Sequence, residues 1–99
     1  MTKRDLAARI AAQTGLSPQD CLSVVQLSFE HIVGELASGR GVEFRNFGSF
    51  HVTKRSPRMG RNPRNPGEEV PIPARYAVKF RPSQKLRKRL SQLSDELPN

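Results

Sequence analysis

The chain has 99 residues, a net charge of +8 and an isoelectric point near 10.8, so we expect one domain with a polyanionic partner. Only 35% of the residues are hydrophobic and none is Trp, so a core built by one copy is marginal and oligomerisation is expected. The single cysteine, Cys21, excludes an intrachain disulfide and a thiolate metal cluster, and it favours a cytoplasmic location. No segment has the pattern of a membrane span or a signal peptide.

Positive charge is concentrated in the second half of the chain. Residues 1–50 hold five basic and five acidic groups, whereas residues 51–99 hold twelve basic and four acidic groups. The sequence therefore predicts that the first half is a scaffold and the second half is the contact surface.

Two helices are predicted in residues 1–39. Thr2 and Asp5 form a weak capping box before the first helix, and Gly15 ends it. Ser17, followed by a proline, begins the second helix, whose apolar residues recur at intervals of three and four. A helical hairpin that serves dimerisation is expected here.

A small antiparallel sheet is predicted from residues 40–54 and 75–82. Apolar and polar residues alternate around the turn Asn46-Phe47-Gly48, and the same period of two returns from Tyr76 to Phe80. Leucines at helical spacing then predict a last helix over residues 83–95, with its leucines directed to the core. The predicted fold class is α+β, a helical hairpin over a three-stranded sheet.

Residues 55–74 form a proline-rich insert before the third strand. It lacks the apolar side chains for a core of its own, so it is either a disordered basic loop or a two-stranded ribbon. Pro71 and Pro73 favour the ribbon, because residues two apart turn their nitrogens to the same side, and the open edge of a ribbon needs no donor. The tip is predicted at Asn62 to Gly67.

Three arginines, Arg58, Arg61 and Arg64, lie in a run of 24 residues that contains no acid. Arginine offers a fork of donors that suits phosphate oxygens, although a merely solvated basic loop has the same composition. Pro63 favours binding, because a rigid apolar wedge among arginines is what kinking of the DNA minor groove requires.

These motifs resemble one family. Phe47-Gly48-Ser49-Phe50, followed by Arg55, Arg58 and Gly60-Arg61-Asn62-Pro63, resembles the HU and integration host factor family of bacterial DNA-bending proteins. Phe80 to Leu86 resembles the integration host factor branch, in which a glycine is usual in place of Ser83. The resemblance implies an intertwined dimer without enzymatic activity, cofactor or small-molecule substrate. Its β-arms would wrap the minor groove of double-stranded DNA, and Pro63 would enter between base pairs.

The resemblance also implies site residues. The implied DNA contacts are Lys3, Arg45, Asn46, Lys54, Arg55, Arg58, Arg61, Asn62, Pro63, Arg64, Arg75, Lys79, Arg81, Ser83 and Lys85. The implied dimer contacts are Phe29, Phe47 and Phe50. Two departures stand out: Asn46 replaces a usual glycine, and the arm tip is one residue longer, which makes Pro66 a rival wedge.

Several alternatives stay open from the sequence. The dimer can be a homodimer or a heterodimer with a paralogue. The same basic ribbon would suit an RNA-binding module, and an acidic protein partner is a further possibility. His31 and His51 lack a second ligand at metal-binding spacing, so no metal site is expected. The resemblance implies a location on the nucleoid.

Overall fold

The computed structural model describes residues 1–93, which form two compact units that meet in sequence at Ser38 and Gly39. The elements of these residues, in chain order, are α1 (Lys3–Thr14), α2 (Pro18–Ala37), β1 (Val42–Phe44), β2 (Gly48–Arg55), β3 (Arg58–Asn62), β4 (Asn65–Ile72), β5 (Arg75–Pro82) and α3 (Gln84–Leu90). The predicted α+β class and order of elements are confirmed.

Local hydrogen bonds explain where the first two helices begin and end. The Thr2 hydroxyl accepts from the Asp5 N–H at 3.1 Å, and the Asp5 carboxylate accepts from the Thr2 N–H at 3.0 Å, so the capping box is complete. Gly15 ends α1 in the left-handed region at φ 76°. Ser17 caps α2 by accepting from the Asp20 N–H at 3.0 Å.

The core between α1 and α2 is thin. Its buried side chains are Ala7, Ala11, Cys21 and Val25, with Leu6, Ile10 and Leu22 packed beside them. Cys21 is 2% exposed and fills space in this core. Much of the apolar surface of α2 stays exposed in the single chain, at Val24, Leu27, Phe29 and Val33.

A three-stranded antiparallel sheet has the order β1-β2-β5. Side chains alternate across it, so one face carries Phe50 opposite Phe80 and Val52 opposite Val78. Phe47 joins these rings, with its centroid 5.4 Å from that of Phe80. We call this side the apolar face, and several of its large side chains are exposed in the single chain.

The turn between β1 and β2 keeps its tight form without the usual glycine. The Phe47 N–H donates to the Phe44 carbonyl at 3.0 Å, and Asn46 takes the left-handed conformation at φ 66°. Asparagine tolerates this region better than other non-glycine residues, so the replacement is accommodated. Position 48 requires glycine, because the Cβ of any other residue would lie 2.6 Å from the Arg81 carbonyl oxygen and clash with it.

The insert is a ribbon, as the prolines predicted, with β3 and β4 paired antiparallel. Its tip is shorter than the predicted segment from Asn62 to Gly67, because Asn62 already pairs with Asn65. The next pair is Arg61 with Glu69, so residues 66–68 form an irregularity in β4. The irregular residues therefore lie beside the tip, in β4, and the turn itself is short.

The last helix is shorter than predicted. It ends at Leu90, and beyond Ser91 the N–H groups bond to carbonyls three residues back, Gln92 to Arg89 at 3.2 Å and Leu93 to Leu90 at 3.1 Å. Leu86 is half-buried, but Leu90 and Leu93 are exposed in the single chain, so the expected burial of all three leucines is wrong for one copy. Residues 94 and 95 of the predicted helix lie outside the described residues.

Candidate nucleic-acid interface

Four of the predicted contact residues share one face of the sheet. The side chains that alternate with the apolar face include Arg55 opposite Arg75 and His51 opposite Lys79, and Arg81 follows on the same side opposite Ser49. We call this the basic face. Like charges placed directly across a ladder repel each other, so an anion bound here would relieve repulsion between Arg55 and Arg75.

His51 belongs to the basic face and has a local partner. Its Nε2 lies 2.9 Å from the Ser49 hydroxyl. Within residues 1–93 there is no group of three His, Cys, Asp or Glu side chains that could hold a metal ion. His51 therefore contributes a polar side chain to the basic face.

Lys54 lies on the other side of the sheet. It pairs with Tyr76 across β2 and β5, and its ammonium nitrogen lies 5.9 Å from the centre of the Tyr76 ring. This cation–π contact gives the charge an aromatic partner. The structure thus separates Lys54 from the other predicted contacts of the sheet.

The arm presents its arginines to solvent around an ordered tip. Arg58, Arg61 and Arg64 are exposed, and Pro63 and Arg64 form the turn. The Asn62 side-chain oxygen accepts from the Arg64 N–H at 2.9 Å, which is an Asx-turn. The Asn62 amide also donates to the Glu68 carboxylate at 3.5 Å. Pro63 is therefore exposed at the tip, between two arginines and within a turn that the Asn62 side chain stabilises.

Other predicted contacts lie at element ends. Arg45 and Asn46 form the β1–β2 turn. Ser83 is the N-cap of α3, and its hydroxyl accepts from the Leu86 N–H at 3.1 Å. Lys85 follows on the exposed first turn of α3. Ser83 thus has a structural role that its place among the predicted contacts did not include.

One basic feature was missed by the sequence analysis. An open groove of about 810 Å³ runs between the end of β5 and α3, lined by Arg81, Pro82, Gln84, Arg87, Lys88 and Ser91. The helical members recur at intervals of three and four, so they share one face of α3. That spacing was visible in the sequence and could have separated Arg87 and Lys88 from the other cations of the helix.

The remaining predicted residues lie on the helices and the turn. In α1, the Lys3 ammonium donates to the Gln26 side-chain oxygen at 2.8 Å, and Gln26 in turn donates to Glu30 at 3.2 Å. The predicted dimer contacts Phe29 and Phe47 are 43% and 49% exposed, and Phe50 is half-buried. No helix in residues 1–93 is long and apolar enough to cross a membrane.

Comparison with known proteins identifies the family. The family described as "Bacterial DNA-binding protein" matches residues 1–91. The integration host factor alpha subunit of Aliivibrio fischeri is 43% identical over 96 residues, which cover 97% of each chain. That of Halorhodospira halophila is 42% identical over 90 residues, 91% of this chain and 88% of the relative.

Solved structures agree with the sequence relatives. The Anabaena HU protein, from a cocrystal structure with DNA, has a TM-score of 0.85 at 28% identity and covers 94% of this chain and 100% of its own. An HU mutant from Thermotoga maritima has a TM-score of 0.62 at 27% identity, covering 91% and 99%. The chain therefore belongs to the HU and integration host factor family of bacterial DNA-binding proteins.

Proposed function

We propose that the protein is an architectural DNA-binding protein that grips the minor groove of duplex DNA, bends it as a dimer and so organises the nucleoid. The observation that carries this proposal is the exposed tip of the arm. There Pro63 stands between Arg61 and Arg64, on a ribbon whose strands β3 and β4 lie in sequence between β2 and β5, the strands that carry the basic face. Arginines can hold the phosphates while a rigid apolar ring enters a base step.

The dimensions of the arm suit the minor groove. The five residues of β3, at about 3.3 Å each, span roughly 16 Å, so the ribbon is long enough to lie along a minor groove that is about 6 Å wide. A two-stranded ribbon can follow the groove and widen it, and an inserted side chain then kinks the helix toward the major groove. We propose that Arg55, Arg58, Arg61, Arg64, Arg75, Lys79 and Arg81 contact the DNA backbone. Asn62 and Pro63 would contact the bases.

A second chain would complete the molecule. Within residues 1–93, a single copy buries the hydrophobic side chains of Ala7, Ala11, Cys21 and Val25 and leaves the apolar face and part of α2 exposed. Exposed apolar area of this kind is stabilised by burial against a partner, at about 25 cal/mol per Å². The relatives at 42–43% identity are named as subunits, which supports a dimer with a paralogue as well as a homodimer.

A bending assay tests the proposal. DNA duplexes labelled at both ends would be compared intact and nicked, with an RNA duplex of equal length as a competitor. We expect the ends of the intact DNA to approach each other on binding, and the nicked DNA to bind more tightly because its kink costs less. Tight binding without a change in end-to-end distance would contradict the bending function. Preference for the RNA duplex would favour an RNA-binding module instead.

Further variants separate the proposed contacts from structural residues. Lys54→Gln removes a charge from the apolar face, and Arg75→Gln removes one from the basic face. If the basic face binds DNA, Arg75→Gln weakens binding and flattens its salt dependence by about one unit for each phosphate that the variant no longer neutralises. Lys54→Gln leaves both quantities almost unchanged. Equal effects of the two variants would remove the distinction between the faces.

A further inference from the structure

Strand pairing is interrupted where the arm joins the sheet, but the register of the two strands is the same on both sides of the break. The last pair of the sheet is Arg55 with Arg75, and the first pair of the arm is Arg58 with Ile72. Each strand therefore crosses the break with the same number of residues, and Pro57 lies across from Pro73. The ladder is interrupted although neither strand has an insertion relative to the other.

In an antiparallel pair, only every second residue exchanges backbone hydrogen bonds with the partner strand, and we call the choice of these residues the hydrogen-bonding phase. A bond at the other end of the sheet shows which phase β2 and β5 have. The Ser83 N–H donates to the Phe47 carbonyl at 2.9 Å, across the start of β2. Residues that exchange bonds with the partner strand alternate along an antiparallel ladder. Counting from Phe47, the exchanging residues of β2 are Ser49, His51, Thr53 and Arg55. This assignment agrees with Pro82, which has no N–H to donate, because its pair with Gly48 is one of the pairs that exchange no bonds.

The arm has the opposite phase. Pro71 pairs with Met59, and a proline cannot donate a backbone hydrogen bond. The pairs that exchange two bonds are therefore Arg58 with Ile72 and Gly60 with Val70. Even-numbered residues of β3 donate to the partner strand, whereas odd-numbered residues of β2 do so. The break at Pro57 and Pro73 is where the phase changes.

This change decides which side of the ribbon carries Arg58. In a strand of L-residues whose partner stays on one side, all residues that bond to that partner place their side chains on the same face. Arg55 and Arg58 are both bonding residues, so they share the basic face. Had the phase of the sheet continued, Arg58 would fall on the side of Lys54 and Tyr76.

We propose that Pro57, Pro71 and Pro73 are positioning residues that fix this phase and thereby hold Arg58 on the basic face beside Arg55. In the continuous phase, each of the three would remove one donor from the ladder. In the inferred phase none of them does, because Pro71 lies in a pair that exchanges no bonds and Pro57 and Pro73 lie in the break between the two ladders. The consequence for DNA binding rests on the proposed function, whereas the phase itself does not.

The phase can be read by NMR without DNA. Residues of a non-bonded antiparallel pair bring their Cα atoms to about 4.5 Å, close enough for a strong contact between their α-protons. We expect such contacts in the native protein between Met59 and Pro71 and between Arg61 and Glu69. Contacts between Arg58 and Ile72 instead would overturn the assigned phase at once, with no variant needed.

A triple variant, Pro57→Val, Pro71→Val and Pro73→Val, tests the cause. It restores all three donors, so the ladder can run through the break, and the α-proton contacts should move to Arg58–Ile72 and Gly60–Val70. Pro66→Val is the matched control, since Pro66 lies in the irregular part of β4 and its replacement should leave the native contacts in place. Unchanged contacts in the triple variant would show that the prolines do not set the phase.

Arg58→Gln then tests the consequence. In the native background it should flatten the salt dependence of DNA binding by about one unit per copy. In the triple variant it should have little effect, because Arg58 has left the basic face. An equal effect in both backgrounds, with the α-proton contacts moved, would overturn the positioning role and leave the DNA-binding function standing. Absence of DNA binding by the native protein would refute the proposed function while the NMR result still decided the phase.

Discussion

Phe50 and Phe80 face each other across β2 and β5 with their ring centroids 4.9 Å apart, yet Phe80 is still 42% exposed. Aromatic pairs of this kind belong in a core, where they add to the stabilisation gained from buried area. Here they lie on a surface that residues 1–93 of a single copy leave partly exposed. We therefore expect the apolar face to be buried against a second copy of the chain or a paralogue.

The first prediction follows from this exposed face. Sedimentation at micromolar concentration should show a dimer, and the midpoint of thermal unfolding should fall on dilution, because dissociation is linked to unfolding. Phe47→Ala should weaken the dimer, since Phe47 is 49% exposed and packs against Phe80. Phe47→Leu keeps most of the apolar area and serves as the control. A cooperatively folded monomer at that concentration would contradict the assembly.

The second prediction concerns Ser83, which connects three elements. Its N–H donates to the Phe47 carbonyl, and its hydroxyl caps α3 by accepting from the Leu86 N–H. Ser83→Ala should lower the free energy of unfolding by about 1 kcal/mol, whereas Ser83→Gly should cost only a few tenths, because glycine is tolerated at an N-cap. Urea titrations of both variants measure this difference. An alanine variant as stable as the native protein would show that the cap contributes little.

The third prediction concerns the left-handed residue of the β1–β2 turn. Asn46 has φ 66°, where a Cβ is unfavourable and asparagine is among the best tolerated residues. Asn46→Ala should destabilise the fold by about 1 kcal/mol, and Asn46→Gly should be neutral or stabilising. Thermal unfolding at fixed protein concentration measures both. Equal stability of the alanine and glycine variants would mean that the turn has another conformation in solution.

The sequence predicted the elements well where one local signal was strong. Caps at Thr2 and Ser17 and the period of two around Phe50 located the helices and the sheet. Pro71 and Pro73 predicted a ribbon, and the structure has one, although Pro73 lies outside its strands. The end of α3 was placed too late because leucine spacing continues past Leu90, where bonds of the 3₁₀ type end the α-helix.

The details of the candidate site were harder to predict because they depend on pairing between strands. The side of Lys54 is an exception, because the period of two that puts Phe50 and Val52 on one face also puts Lys54 there, opposite Tyr76 and away from Arg55 and Arg75, and the sequence analysis did not draw that consequence. The predicted tip, Asn62 to Gly67, is longer than the observed turn because residues 66–68 form an irregularity that depends on how Arg61 pairs with Glu69. A bulge is a property of a ladder, and a single strand does not specify it.

The fourth prediction concerns charge. If the arms and the basic faces of a dimer neutralise roughly six to ten phosphates, the logarithm of the affinity should fall with the logarithm of salt concentration with a slope of about −5 to −9. Replacing Arg58, Arg61 or Arg64 by Gln should weaken binding to all DNA sequences alike, because phosphates carry no sequence information. Fluorescence anisotropy at several salt concentrations gives the slopes. A slope near zero would rule out the electrostatic account.

The last prediction distinguishes insertion of Pro63 between base pairs from binding of phosphates by the arginines of the arm tip. Pro63 is uncharged and exposed in the turn, so Pro63→Ala should leave the salt slope nearly unchanged while it reduces the bend. Arg61→Gln should do the reverse and flatten the slope by about one unit for each phosphate left without its arginine. Because nicked DNA is already easy to deform, Pro63→Ala should lose more affinity for intact than for nicked duplexes.

Pro66 provides the control for this assignment, since it lies in the irregular part of β4 and outside the turn. Pro66→Ala should therefore retain the bend. If Pro66→Ala abolishes the bend and Pro63→Ala does not, the wedge is Pro66, and the extra residue of the arm has shifted the insertion point. If both variants bend DNA as the native protein does, the arms bind by charge alone, and neither proline enters a base step.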